Sequence, residues 1–100
     1  SLPKRPTAIF ARNDFTAVGA MTAIMEAGLT IPGDIAVVGF DDTPLALHTL
    51  PPLTTVRQPM LLQGQLAAGL LLRRISAKGP VETENRTLEC ELIVRQSTVA

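Results

Sequence analysis

Short apolar runs and one longer helical segment alternate along the first half of the chain. Residues 8–11 and 35–40 are apolar runs, and the second is rich in β-branched side chains, as in strands that a parallel sheet covers on both faces. The segment 15–27 lies between them and has the length and the border residues of a helix. This order predicts two parallel strands that are joined by a helical crossover.

The first predicted helix, 15–27, carries helix signals at both borders. Either Asn13 or Asp14 can cap its start, because their side-chain oxygens accept hydrogen bonds from free backbone N–H groups. Gly28 can adopt the left-handed conformation that ends it. The polar residues form one narrow stripe, Thr16, Gly19, Thr22 and Glu26. The rest of the helix is apolar, which predicts a second packing partner besides the sheet, either another part of the same domain or a second subunit.

A long connection, residues 41–58, follows the second strand, and connections of this length are commonly functional. Thr43 can cap a short helical turn with Pro44 at its first position, and this turn would carry Leu45, Leu47 and Leu50. The prolines at 51–52 then stop any helix. Residues 54–56 favour an extended strand, which suits a segment that crosses between two lobes.

The last part of the chain predicts one more helix and one more strand. The helix runs from Gln58 to about Ala77, with Pro59 at its first helical position. In residues 88–95 the side chains alternate with a period of two, which is typical of a half-exposed edge strand. Its core face would consist of Leu88, Cys90, Leu92 and Val94, so Cys90 is predicted to be a small core residue.

Composition narrows the class of protein. One hundred residues suffice for one small core. Nine basic and nine acidic side chains cancel, so the chain has no overall field that would concentrate nucleic acid at its surface. The one cysteine cannot form an internal disulfide, which suits a reducing compartment. No apolar run approaches the length of a membrane span. These totals predict a small soluble α/β unit that does not bind DNA unaided.

Two acidic residues follow the second strand, at the edge where open α/β sheets bind ligands. Asp41 and Asp42 are adjacent, so their side chains diverge in an extended segment and do not form the facing pair of a glycosidase. Asp41 is predicted to bind ligand, since a carboxylate at this edge can accept hydrogen bonds from vicinal hydroxyls or from ring N–H groups. Turn formation is the alternative for both, and Asp42 is assigned mainly to it.

Two amide side chains extend this candidate ligand site. Asn13 lies at the end of the first strand and has both donor and acceptor atoms for a sugar hydroxyl, with helix capping as the alternative role. Both roles are compatible if Asp14 caps the helix instead. Gln58 lies beside the crossing segment and is predicted to support either the ligand or the hinge.

The other chemistry-bearing residues do not predict an enzyme. Ser97, His48 and Asp41 have the residue types of a triad, but no G-x-S-x-G turn is present to activate the serine. There is no glycine-rich phosphate loop. His48 is the one histidine, and no cysteine or second histidine stands at metal-ligand spacing. The sequence therefore predicts no catalytic residues, no metal and no cofactor.

Three motifs carry a family resemblance: Asn13-Asp14 after a short strand, Val37-Val38-Gly39-Phe40-Asp41-Asp42, and Pro51-Pro52-Leu53-Thr54-Thr55-Val56-Arg57-Gln58. In type, order and spacing they resemble the effector-binding domain of LacI/GalR-type transcription regulators. The resemblance runs from about Pro6 to the end of the chain. It implies an α/β, periplasmic-binding-protein-like type I fold with a parallel sheet, of which this chain would be the C-terminal portion, in the order β-α-β-crossover-α-β.

The resemblance also implies a functional organisation. Residues 6–56 and 88–97 would belong to one lobe, and the helix in 58–79 to the other. In this family a helix-turn-helix head binds operator DNA, and a small molecule in the cleft, commonly contacted by the asparagine at position 13, shifts the lobe arrangement within a dimer. This chain lacks that head. It is expected to be the effector-sensing and dimerisation part of a cytoplasmic regulator, a repressor, whose effector is a sugar or a related polar metabolite.

The apolar flank of the first helix and the leucine-rich loop resemble the dimer surfaces of such regulators. The expected contacts of the homodimer are Ala17, Val18, Met21, Leu45, Leu50 and Pro51. A periplasmic sugar-binding protein of a transport system is the alternative, because it shares the fold and the cleft but needs no dimer. A purely structural segment without ligand activity is a third possibility.

Overall fold

The computed structural model describes residues 4–79 and 82–99. Within these residues there are four short strands, two α-helices and one turn of 3-10 helix. In chain order they are β1 (Ala8–Phe10), α1 (Asp14–Glu26), β2 (Ala36–Val38), the 3-10 turn (Pro44–Leu47), β3 (Thr55–Arg57), α2 (Met60–Ser76) and β4 (Glu91–Ile93). The predicted fold class and order of elements are confirmed.

The strands form two pairs that are linked by one bridge. β1 lies parallel to β2, as expected for strands joined by a helical crossover. An isolated parallel bridge between Val38 and Thr54 connects this pair to the segment that enters β3. β3 then pairs with β4 in the antiparallel direction. The carboxyl ends of β1, β2 and β3 therefore point the same way, toward residues 11–13, 39–43 and 58.

The described residues fall into two compact units. One comprises the residues up to Arg57 together with those from Glu91 onward, and the other is the segment from Gln58 to Cys90. All four strands and α1 belong to the first unit, and α2 belongs to the second. The assignment of these parts to two lobes of a larger domain stays a prediction.

The core lies in the first unit, where α1 contacts β2 and the 3-10 turn. Its buried apolar side chains are Ala11, Ala17, Met21, Ile24, Ile35, Val37, Ala46 and Leu53. The inward residues of α1 are spaced by three or four positions, as expected for one helix face. Phe10 is exposed, so β1 is not covered on both faces as its apolar run predicted.

The borders of α1 agree with the sequence signals. Asn13 is the N-cap, and its side-chain oxygen accepts a hydrogen bond from the backbone N–H of Thr16 at 2.8 Å. Gly28 follows the helix with a φ of +78°, the left-handed conformation expected after its end. The predicted polar stripe of Thr16, Gly19, Thr22 and Glu26 is exposed.

The second unit contains α2, and none of the residues of this helix is buried. Large apolar side chains remain in contact with solvent, among them Leu61, Leu62, Leu71, Leu72 and Ile75. Pro59 occupies the N-cap position of α2 and not the first helical position that was predicted. Arg73 and Arg74 lie in the last turn, where positive charge is favourable to the helix dipole.

The prediction for the last strand is wrong in its extent and in its inward face. β4 is confined to Glu91–Ile93, and Cys90 is exposed. Leu92 and Val94, which were assigned to the core face, are exposed as well, whereas Ile93 is partly buried. The cause is Arg95, whose side chain is only 12% exposed because it forms an ion pair inside the first unit. Since side chains alternate along an extended segment, an inward Arg95 goes with an inward Ile93 and with outward Leu92 and Val94.

Candidate functional site

The loop after β2 has an unusual backbone. Asp41 has a φ of 108° and Asp42 a φ of 52°, both in the region that side chains other than glycine rarely adopt. The amide of Asp41 donates to the carbonyl oxygen of Val56 at 2.9 Å, and the amide of Asp42 donates to Oγ1 of Thr55 at 3.2 Å. Residues in such conformations persist where surrounding contacts hold them, and clusters of them mark functional sites.

Asp14 supplies the third contact of this loop from the start of α1. Its side chain is completely buried. One carboxylate oxygen, Oδ2, accepts hydrogen bonds from the backbone N–H of Thr43 at 2.6 Å and from the hydroxyl of Thr43 at 2.9 Å. The other, Oδ1, accepts from the hydroxyl of Thr55 at 2.7 Å. Asp14, from the first of the three motifs, therefore binds Thr55 of the third and Thr43, the residue that follows the second.

Gly39 makes room for that carboxylate at the end of β2. A Cβ atom at this position would clash with Oδ1 of Asp14 and would lie 2.9 Å from Cδ2 of Leu53. The glycine is thus required by close approach of a neighbouring side chain. Sequence reasoning treated Asp14 as an alternative helix cap and missed its central role. The glycine inside an otherwise bulky strand was the signal that something packs closely against it.

Asp42 forms an ion-pair cluster on the same loop, in which Arg95 is largely buried and the side chain of Arg57 is 53% exposed. Its carboxylate accepts from Nε of Arg57 at 2.8 Å and from an NH2 group of Arg95 at 2.9 Å, and Arg95 also donates to the carbonyl oxygen of Leu53 at 2.9 Å. Burial raises the pKa of Asp42, but the hydrogen bonds and charges of the two arginines outweigh it and hold this pKa below its usual value. Asp42 therefore joins the loop to β3 and to the segment after β4, a tertiary role beyond the turn that was predicted for it.

The predicted ligand residues follow three successive strand ends. Asn13 and Asp41 lie in the first unit, after the neighbouring parallel strands β1 and β2, and each is partly exposed. Gln58 follows β3 and belongs to the second unit, where its side-chain oxygen accepts from Nε2 of Gln63 at 3.2 Å. Because Asn13 itself caps α1, the suggestion that Asp14 would take over capping is wrong. The ligand role expected of Asn13 then falls to its side-chain N–H donors.

Comparison with known proteins identifies the family. Residues 1–98 match the family described as periplasmic binding protein-like domain. The lactose operon repressor of Rhizobium radiobacter is 47% identical over 97 residues, which cover 97% of this chain and 84% of that protein. The repressor CytR of Escherichia coli K12 is 40% identical over 99 residues, which cover 99% of this chain and 29% of CytR.

Solved structures give the same result. A putative LacI-family regulator from Sanguibacter keddieii matches with a TM-score of 0.88 and 37% identity, over 98% of this chain and 38% of that one. The lac repressor dimer bound to operator and the anti-inducer ONPF matches with a TM-score of 0.81 and 41% identity, over 95% of this chain and 28% of that one. This chain belongs to the LacI family of transcriptional regulators. It spans less than a third of CytR and the lac repressor, and its relatives favour a regulator over a transport protein.

Two of the six residues expected at the dimer surface of a LacI-family chain are buried within the chain itself. Ala17 and Met21 belong to the chain's own core, and Met21 is only 2% exposed. The physical reason is that the 3-10 turn packs against this flank of α1 and buries its own Ala46 there. Leu50 is 80% exposed, and Val18, Leu45 and Pro51 are partly exposed.

Ser97 and His48, two of the residues considered for a triad, lie in different surroundings in this LacI-family chain. Ser97 is buried and its hydroxyl donates to the carbonyl oxygen of Val37 at 2.6 Å while it accepts from the amide of Thr54 at 2.7 Å. His48 is exposed after the 3-10 turn. Residues 4–79 and 82–99 contain no group of three potential metal-binding side chains. In the same part of the chain, no helix has the length and apolar character that crossing a membrane requires.

Proposed function

We propose that this chain is the effector-sensing and dimerisation part of a LacI-family transcriptional repressor, and that its effector is a sugar or a related polar metabolite. The observation that carries the proposal is the loop after β2, where contacts from α1 and β3 hold Asp41 at the carboxyl end of parallel strands. The names of related proteins support a sugar: a lactose operon repressor, a regulator in complex with cellobiose and a regulator with bound sucrose.

The chemistry of recognition follows from the side chains at this edge. The carboxylate of Asp41 accepts hydrogen bonds from two vicinal hydroxyls of the effector. Asn13 donates from its side-chain nitrogen, while its oxygen remains on the helix cap. Gln58 is a third ligand residue in this proposal. Effector binding then favours one of two arrangements of the intact regulator, with the crossing segments as the hinge.

The partners and the location follow from the relatives. A helix-turn-helix head outside this chain binds operator DNA, in keeping with the lac repressor dimer that was solved on its operator. Such a regulator works in the cytoplasm, where the operator is, and it performs no catalysis. We assign the homodimer contacts to Val18, Leu45, Leu50 and Pro51, next to a groove of about 100 Å³ between α1 and residues 49–50. Sedimentation of the intact regulator should give a dimer, and a stable monomer that responds to effector would contradict this part.

The proposal is tested on the intact regulator with lactose, cellobiose and sucrose as probes. One of these sugars should alter the affinity for operator DNA and should bind in calorimetric titration. Asp41→Ala should then weaken binding of that sugar by on the order of a hundredfold or more, because two hydrogen bonds to a charged group contribute about 1.5–3 kcal/mol each. Operator binding without sugar should change little.

Asp42→Ala is the matched control, since it removes the neighbouring carboxylate. It should lower the melting temperature, because Arg57 and Arg95 lose their buried partner, and should affect sugar affinity less than Asp41→Ala. If Asp42→Ala abolishes sugar binding and Asp41→Ala does not, the two roles have been exchanged. If both variants bind sugar like the wild type, the acidic pair is structural and the proposed site is wrong.

A further inference from the structure

We infer that Asp14 is a positioning residue for effector binding: it touches no effector, but it sets the backbone conformation from which Asp41 reaches the ligand. The inference rests on the proposed function and adds a residue to it. Asp14 is completely buried beneath the loop and is hydrogen-bonded to Thr43 and Thr55, so it lies outside the set of residues that the resemblance assigns to the ligand.

Three consecutive amides of the loop are fixed by partners on other elements. The N–H of Asp41 donates to Val56 at 2.9 Å, that of Asp42 to the hydroxyl of Thr55 at 3.2 Å, and that of Thr43 to Asp14 at 2.6 Å. The Thr55 hydroxyl in turn donates a hydrogen bond to Oδ1 of Asp14. Two of the three contacts therefore depend on Asp14, one directly and one through Thr55.

The backbone conformation of Asp41 and Asp42 explains why the loop needs these hydrogen bonds. Asp41 and Asp42 both have positive φ values, which cost free energy for residues with a Cβ and persist only where contacts compensate for it. Without the bond from Thr43 to Asp14, the loop can relax toward ordinary φ values. The carboxylate of Asp41 would then leave the direction in which it meets an effector.

Asp14→Asn tests this with almost no change in volume. A carboxylate has two acceptor oxygens, whereas an amide has one, and its NH₂ group is a donor. The Thr55 hydroxyl can rotate to accept from that NH₂ group, but the backbone N–H of Thr43 cannot accept. In the best orientation the amide oxygen therefore stays on Thr43, but as a neutral acceptor, and the Thr55 hydroxyl can no longer donate to the side chain at position 14. The hydrogen bonds to Thr43 are weakened and the one from Thr55 is lost, while the core around them keeps its shape.

Asp34→Asn is a matched control. Oδ2 of Asp34 accepts from the backbone N–H of Thr30 at 2.8 Å and from its hydroxyl at 3.0 Å, the same pair of donors from one threonine that Asp14 receives from Thr43. Asp34 lies before β2, at the end opposite to Asp41. Asp34→Asn neutralises the same kind of acceptor in the first unit without touching the loop of residues 39–43.

The first measurement needs no effector. Amide hydrogen exchange is followed by mass spectrometry on the intact regulator, in peptides that cover residues 40–45. Exchange there should be about tenfold faster in Asp14→Asn than in the wild type, because the bonds from Thr43 lose their charged acceptor and the bond from Thr55 is lost, both of which lower the opening free energy of the loop. Asp34→Asn should leave it unchanged. Equal exchange in wild type and Asp14→Asn would overturn the positioning role.

The second measurement uses the sugar, among lactose, cellobiose and sucrose, to which the wild type responds. Asp14→Asn should weaken its binding by about tenfold or more, with operator affinity unchanged, whereas Asp34→Asn should bind it normally. Faster loop exchange together with wild-type sugar affinity would overturn the inference while leaving the proposed function intact. If the wild type responds to none of the sugars, the proposed effector class fails, and the exchange experiment still decides whether Asp14 sets the loop.

A second pair of variants covers the case in which Asp14→Asn does not fold. Thr55→Val removes the hydroxyl that connects Asp42 to Asp14 at nearly constant volume, and Thr55→Ser restores it. Sugar affinity should fall in the valine variant and return toward the wild-type value in the serine variant. If serine and valine reduce it equally, packing of the threonine methyl group matters and the hydrogen-bonded network does not.

Discussion

The first unit buries Met21, Val37 and Leu53 almost completely, whereas α2 in the second unit has no buried residue. Both units are rich in leucine and other apolar residues, so composition does not explain the difference. The packing partners explain it, because α1 lies against β2 and the 3-10 turn, whereas most leucines of α2 are exposed. CytR and the lac repressor continue for the greater part of their length beyond the segment that this chain matches. If this chain is part of such a regulator, as proposed, we expect the rest of the regulator to cover α2.

Polar contacts show the same contrast. In the first unit Asp14, Thr54, Thr55 and Ser97 are buried, and no buried side-chain nitrogen or oxygen of the described residues lacks a hydrogen bond. In the second unit Glu84 pairs with Arg73 at 3.5 Å and with Arg86 at 3.2 Å, but all three side chains are well exposed. Exposed ion pairs contribute little stability. The proposed sensing residues Asn13 and Asp41 thus belong to the unit that supplies its own core.

The largest expected effect separates the two units directly. Met21→Ala should lower the free energy of unfolding of the 100-residue chain by about 2–5 kcal/mol, because it leaves a cavity among buried side chains. Leu71→Ala in α2 removes a similar volume from a side chain that is 58% exposed. This variant should change the free energy of unfolding by less than about 0.5 kcal/mol. Urea unfolding followed by circular dichroism measures both.

The same two variants in the intact regulator make the comparison sharper. If α2 is covered there, Leu71→Ala should become as costly as a core substitution, and Met21→Ala should cost about what it does in the isolated chain. A small effect of Met21→Ala in the isolated chain would show that the core of the first unit does not support itself. That outcome would remove the contrast between the units.

A smaller effect concerns the dependence of stability on pH. The pKa of Asp42 is lowered in the folded chain: burial raises it, but the hydrogen bonds and charges of Arg57 and Arg95 lower it by more. Its contribution to stability is therefore fully present above the pKa of an unfolded aspartate, about 3.9, and is lost as the pH falls through the lower folded value. The stability difference between wild type and Asp42→Asn should be largest near neutral pH and should shrink below about pH 4.

Glu84→Gln provides the comparison from the second unit. Its ion pairs are exposed, so the variant should unfold like the wild type at neutral pH. Chemical denaturation of the three proteins at several pH values between 3 and 7 measures these differences. An Asp42→Asn variant that is as stable as the wild type at pH 7 would mean that the ion pairs of Asp42 make no net contribution to stability.

Local signals explain which parts of this fold could be predicted. The cap at Asn13, the left-handed Gly28 and the 3-10 turn after Thr43 depend on residues close in sequence, and all were found in place. The parallel β1–β2 pair follows from the β-α-β order. Of the site, the strand-end positions of Asn13 and Asp41 were predictable for the same reason.

The errors come from contacts between distant residues. The side chains of residues 88–95 alternate with a period of two, but this pattern does not show which face is inward. The inward face is set by the ion pair between Arg95 and Asp42, which are 53 residues apart. Met21 turned out to be buried because the 3-10 turn folds back over α1. Asp14 was missed because its partners, Thr43 and Thr55, are 29 and 41 residues away.

The smallest expected effect compares two glycines, one beside α1 and one inside α2. A Cβ atom at Gly28 or at Gly64 would meet no other atom within 4 Å, so neither substitution to alanine causes a clash. They differ in backbone: Gly28 has a φ of +78°, whereas Gly64 lies in the interior of a helix. Gly28→Ala should therefore destabilise the chain by about 1 kcal/mol, and Gly64→Ala should stabilise α2 by about 0.5–1 kcal/mol. Thermal melts followed at 222 nm, the helix band, should show shifts of opposite sign.

In the intact regulator the gain at Gly64 should vanish if another element packs closely on that face, as the four-residue spacing of Gly64 and Ala68 suggests. A loss at Gly64 in the isolated chain would mean that α2 is already covered there, which would contradict the contrast between the two units.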